Sequence, residues 1–159
     1  MRSELLPDRG IPASTLLMMS AVAGITVANL YYNQPLLEEI RSSLDCSETM
    51  SNMITVVTQA GYALGLLLIV PMADMWSRRR IVTVIMGIAA AMAACIALSS
   101  GIWTVLAASL LLGACSVIPQ IFIPVAGQFS RPEHKSRNMG YVLSGLLTGI
   151  LGARVISGY

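Results

Sequence analysis

The sequence predicts an all-α membrane protein with five transmembrane helices, and three observations carry that reading. Of the 159 residues, 55% are hydrophobic and 11% charged, with a mean hydropathy of +0.73. A soluble domain carries about a quarter charged residues, so this is the composition of a chain that lives in lipid. The apolar residues fall into five runs, each long enough to cross a hydrocarbon core as a helix. Finally, the short polar joints between runs are basic at alternate turns, as expected of a chain that threads a bilayer repeatedly.

Residues 1–13 read as a short polar cytoplasmic leader. Arg2 and Arg9 alternate with Glu4 and Asp8, and the apolar run that follows exceeds a signal-peptide core, so the first span is expected to stay attached. That span covers about 14–37. It begins small and apolar, then becomes polar through Asn29, Tyr31, Tyr32, Asn33, Gln34 and Pro35. Asn29, Tyr32 and Asn33 are three and four apart and share a helical face. An aromatic belt at the interface accounts for the tyrosines. The amides are costly in lipid unless they face protein or water, and they are read as lining a cavity.

An acidic outer loop with Glu38, Glu39, Asp45 and Glu48 leads to the second span, about 53–72. Thr55, Gln59 and Tyr62 follow one another there at spacings of four and three, and Gly61 and Gly65 form a small-xxx-small face for close helix contact. A tight turn with Asp74, Arg78, Arg79 and Arg80 joins it to the third span, about 81–98, which has neither charge nor amide and reads as structural or lipid-facing. Ser99, Ser100 and Gly101 turn the chain into the fourth span, about 103–129, interrupted by Pro119 and Pro124 around Gln120. Proline in a spanning helix frees carbonyls that must find protein or water. A basic loop with Arg131, His134, Lys135 and Arg137 precedes the fifth span, about 139–159. The lone His134 reads as a loop residue.

Eight cations (Arg2, Arg9, Arg78, Arg79, Arg80, Arg131, Lys135 and Arg137) fall on one side of this topology and only Arg41 on the other. The positive-inside rule then places the N-terminus in the cytoplasm. The tenth cation, Arg154, lies within the fifth span, fourteen residues past Gly140 or about 21 Å along the axis. It either snorkels to the outer headgroups or faces a cavity, where it would bind solute anions or pair with an acid. Cys46, Cys95 and Cys115 show no disulfide or metal-ligand spacing, and no cofactor is expected. No paired acids, Ser–His arrangement or metalloprotease motif occurs, which argues against an enzyme. Nothing in the charge pattern calls for nucleic acid.

The turn at Asp74–Arg80 resembles the characteristic loop between the second and third helices of major facilitator superfamily transporters. Asp74, Arg78 and Arg79 fall on its pattern, and Ser77 stands where the loop has a glycine. The Asn29–Leu36 stretch is similar to the first helix of bacterial sugar- and drug-efflux members. Gly145, Gly149, Gly152 and Gly158 resemble the glycine-rich fifth helix of proton-coupled antiporters, although this span has no proline where that motif has a Gly-Pro step. Gly61–Leu64 resembles Gly140–Leu143, a trace of the inverted three-plus-three repeat expected within each six-helix half of this fold.

The resemblance implies a carrier of the bacterial inner membrane that exports a small sugar-like or drug-like solute in exchange for protons. Asn29, Tyr32, Asn33, Gln59, Gln120 and Arg154 would line the solute path, and Asp74, Arg78 and Arg79 would form the conformational-switch loop. It further implies that residues 14–159 are an incomplete N-terminal half, inactive without the missing second half, on which the Asp74 loop and the fifth-span glycines would dock. The alternative is a small multi-pass assembly or accessory protein that uses its glycine faces to bind other helices.

Overall fold

The structure, a computed structural model, describes residues 10–31, 37, 40–44 and 46–157. Among them are helices α1 (Ala13–Tyr31), α2 (Glu48–Met75), α3 (Arg78–Leu98), α4 (Ile102–Cys115), α5 (Ile118–Gln128) and α6 (Lys135–Ser157), with a 3₁₀ turn at Pro132–His134. The pair α4 and α5 forms one broken span, so five helical segments are long and apolar enough to cross a membrane.

Local chemistry sets most of the ends. The Ser47 hydroxyl accepts from the Met50 N–H at 3.3 Å and caps α2. Helix α2 runs through Pro71 and closes with the Trp76 N–H on the Met72 carbonyl. Only Trp76 and Ser77 separate it from α3, whose first N–H groups turn back to the Ser77 carbonyl. The fourth span breaks once, at Ser116 and Val117, ahead of Pro119. Pro119 has no N–H for the Cys115 carbonyl, and the chain tightens instead: Ser116 N–H donates to Gly113 and Gln120 N–H to Val117, both at 3.0 Å. Pro124 stays inside α5 without ending it, so of the two expected interruptions one bends the span and the other does not.

The broken span is the spine of the bundle, the most buried of the five. On one side Leu112, Cys115, Ile118 and Ile121 pack with Ala73, Ile81, Ile85 and Ala89. On the other Ala126 packs with Leu16, Met19, Ala23 and Val142. Outward-facing leucines such as Leu17, Leu67 and Leu98 are largely exposed, as befits side chains meant for lipid. Helix α3 buries Ile81, Ile85 and Ala89 in the core and sets Val82, Met92 and Ile96 at its margin. Most of the rest of its surface is exposed, in keeping with a structural or lipid-facing span.

Two seams bring backbones together. Gly61 meets Leu110 and Gly65 meets Ala114 between α2 and α4, while Gly113 meets Thr58. Gly145 meets Ser20, and Gly24 lies against both Gly145 and Gly149, between α1 and α6. A methyl added to Gly24 would stand 2.6 Å from the Gly145 carbonyl oxygen. Gly61 and Gly65 step along α2 as Leu110 and Ala114 step along α4, and Ser20 and Gly24 as Gly145 and Gly149, so both pairs are parallel. The first and fifth spans thus pair as the fourth and second do, the exchange an inverted repeat produces. The register differs from the short sequence match, because Gly61 is buried against Leu110 whereas Gly140 faces open space.

Seven hydroxyls among the described residues donate to the carbonyl four residues back: Thr26, Thr58, Thr83, Ser116, Ser130, Ser144 and Thr148. This satisfies a polar group within its own helix or at that helix's C-terminal end.

Candidate solute path and switch loop

The expected polar residues do not gather into one cluster. Gln120, placed just past the break in the fourth span, is half-buried, and its Nε2 donates to the Tyr62 hydroxyl at 3.1 Å. The bond ties α2 to α5 at the level where the fourth span is weakest. It leaves the Gln120 carbonyl oxygen, the second amide hydrogen and the Tyr62 hydroxyl hydrogen to serve a further group. Gln59, three residues before Tyr62, is exposed. Asn29 is half-buried near the polar end of α1, and Tyr32, Asn33, Gln34 and Pro35 lie outside the described residues. The hydroxyls of Thr55 on α2 and Ser109 on α4 are buried without a hydrogen-bond partner among the described residues. Such groups cost free energy until a water or ligand satisfies them.

Arg154 is exposed, and its guanidinium carbon sits 5.3 Å from the centroid of the Tyr31 ring, within cation–π range. The C-terminal ends of α1 and α6 are therefore linked through a charge. The glycines below it take an unexpected partner. Gly145 and Gly149 pack on α1 within this chain, a partner that the sequence reading did not name. Gly152 meets no atom within 4 Å, and Gly158 lies outside the described residues.

At the turn, Arg78 stands 3.6 Å from the Asp74 carboxylate and donates from Nη1 to Gln128 Oε1 at 2.8 Å. Asp74 is largely exposed and Arg78 about one-third exposed, so the ion pair itself is weak. The bond to Gln128 matters more for position: it fastens the hairpin tip to the end of the fourth span. Arg79 is exposed, with its backbone carbonyl taken by Thr83. Sequence reasoning missed Gln128, Tyr31 and the role of Tyr62 as a partner. Each bond joins residues tens to over a hundred positions apart, which periodicity does not register.

A family model described as the Major Facilitator Superfamily matches residues 16–159. The chain belongs to the major facilitator superfamily. Within this family it is 35% identical over 152 residues to the uncharacterized transporter YgaY of Escherichia coli O157:H7, covering 96% of this chain and 39% of the relative. It is 32% identical over 141 residues to the probable transporter SCO4007 of Streptomyces coelicolor, covering 89% of this chain and 33% of that protein. The uncharacterized MFS-type transporter YybF of Bacillus subtilis is 28% identical over 134 residues, with 84% and 33% covered. The chain thus spans between a third and two-fifths of the length of these relatives. No solved structure gives a significant match.

Proposed function

We propose that this chain forms the first five spans of a carrier that exports a small sugar-like or drug-like solute from a bacterial cell in exchange for protons. Its N-terminus would lie in the cytoplasm and its spans in the inner membrane. The observation that carries the reading is the Gln120–Tyr62 hydrogen bond beside the break of the fourth span. A paired amide and phenol with spare hydrogen-bonding capacity, at a bent point of the most buried span, is a ready contact for a neutral polar solute. Asn29, Tyr32 and Asn33 would extend that contact along the first span, with Gln59 at its margin. Arg154 would guard the outer end through Tyr31, and the Asp74–Arg78–Gln128 link, with Arg79 beside it, would lock the inner hairpin in one state of the transport cycle.

The remainder of the carrier would supply the facing half, so flux requires more than these five spans. Membership of a transporter family favours this reading over an assembly or accessory protein. The test is solute export and proton counterflow in vesicles holding the longer transporter that contains this segment. Gln120→Leu is expected to raise the KM for solute at least tenfold. Asp74→Asn should slow turnover with solute affinity kept, and Arg154→Gln should weaken export. Wild-type export by the Gln120→Leu and Arg154→Gln variants would remove the proposed path. Solute flux in vesicles holding only this polypeptide would refute the need for a facing half.

A further inference from the structure

At the basic end of the bundle a cleft of about 540 Å³ opens between the start of α1 and the start of α6. Its polar wall is Arg131, His134, Arg137 and Asn138, and its apolar wall includes Ile11 and Leu16. No acidic residue lines it among the described residues. The wall is braced. Asn138 is only 7% exposed and donates from Nδ2 to the Ser130 hydroxyl at 2.7 Å, while the Ser130 hydroxyl donates to the Ala126 carbonyl. Across the cleft, Gly10 donates its N–H to the Phe129 carbonyl at 3.2 Å. Its φ of +96° is open to glycine at little cost and strained for a residue with a side chain.

A second opening begins where this one ends. A groove of about 500 Å³ follows the α1–α6 seam and shares Tyr141 with the cleft. Its floor is the glycine contact of Gly24, Gly145 and Gly149, and Leu17 and Ile25 stand exposed at its rim. The hydroxyls of Ser20, Ser144 and Thr148 are already donated to backbone carbonyls, so the groove offers mainly hydrocarbon and bare glycine backbone. From Leu17 to Ile25 it runs eight residues, about 12 Å. A cationic cleft continuous with an apolar groove matches a molecule whose anion and hydrocarbon chain are joined.

We propose that this seam binds one anionic phospholipid, its phosphodiester on Arg131 and Arg137 beside His134, and one acyl chain along the Gly24–Gly145–Gly149 floor. Two guanidinium forks are well suited to phosphate oxygens, and glycines let a methylene chain lie close to the helix backbones. The site uses none of the residues placed on the proposed solute path, and its occupancy does not depend on which solute is carried.

Native mass spectrometry of the full chain in detergent, titrated with phosphatidylglycerol, phosphatidylcholine, glycerol 3-phosphate or inorganic phosphate, tests it. Phosphatidylglycerol is expected to bind at least tenfold more tightly than phosphatidylcholine and than either anion without an acyl chain. Arg131→Gln with Arg137→Gln should abolish that preference. Arg79→Gln with Arg80→Gln, at the same end but outside the cleft, should preserve it. Ala21→Trp, which fills the groove from an exposed position, should weaken both lipids about equally. Far-ultraviolet circular dichroism checks that each variant keeps its helices. Equal binding of the two lipids, or equal loss of preference in both arginine pairs, would overturn the proposal. Inorganic phosphate binding as tightly as phosphatidylglycerol would show a soluble-anion site instead and equally overturn it.

Discussion

The α2–α4 and α1–α6 seams use the same device and end differently. Both are parallel helix pairs brought together by small residues four apart, Gly61 and Gly65 in one and Gly145 and Gly149 in the other. In the first, Gly61, Gly65, Gly113, Thr58 and Ser109 are all buried. In the second, Ser20, Gly145 and Gly149 are half-buried beneath an open groove. The difference lies in what surrounds each seam. Helix α4 belongs to the broken central span and is also packed by α3 and α1, whereas α6 adjoins α1 and α5 and turns its other flank outward. Small residues bring helices close, and the neighbours decide whether the contact is sealed or left as a surface.

The largest effect that would test this contrast is overpacking. Gly61→Leu should cost about 3 kcal/mol in unfolding free energy, and Gly149→Leu less, because its extra atoms can lean into the groove. Denaturant unfolding in mixed micelles measures both, and the reverse order would break the comparison. Ser109→Ala removes a buried hydroxyl without a partner among the described residues, so the closed seam should gain about 1 kcal/mol. A loss of stability instead would reveal a partner that the hydroxyl does hold. Tyr62→Phe removes the acceptor of the Gln120 amide and should cost about 1 kcal/mol. Ser20→Ala on the open seam, where the hydroxyl is exposed, should cost less. The smallest change is Gly152→Ala, expected to stabilise by about 0.5 kcal/mol, since nothing lies within 4 Å of the added methyl. A destabilised Gly152→Ala would mean that another helix closes on that face.

Much of the architecture was legible because its signals are local. Runs of apolar residues mark the spans, and Asp74 and Arg78 are one helical turn apart and do meet. The glycines were legible as contact faces, since a spacing of four is a property of one helix. Their partners were not, because Gly145 could have met any helix, and it meets Ser20 across more than a hundred residues. The candidate site divides in the same way. Gln120 stood out as an amide between prolines, yet its bond to Tyr62 needs the packing of α2 on the central span. Gln59 carried the same polar signal, but α2 turns it to the outside. Proline was ambiguous for a related reason: Pro119 bends the span and Pro124 does not.

The hydroxyls that bond back along their own helices bear on how the protein is made. A serine or threonine whose proton already rests on the carbonyl four residues earlier brings no debt into lipid. Thr26, Thr58, Ser116, Ser144 and Thr148 meet that condition within single spans. A span whose hydroxyls are all satisfied in this way can leave the insertion machinery alone, before its neighbour has been synthesised. The Gln120 amide and the Ser109 hydroxyl on the fourth span, and the Thr55 hydroxyl on the second, have no such internal relief among the described residues, so the fourth span carries two of the three. That span is the one whose entry into the bilayer has most to gain from waiting beside the second.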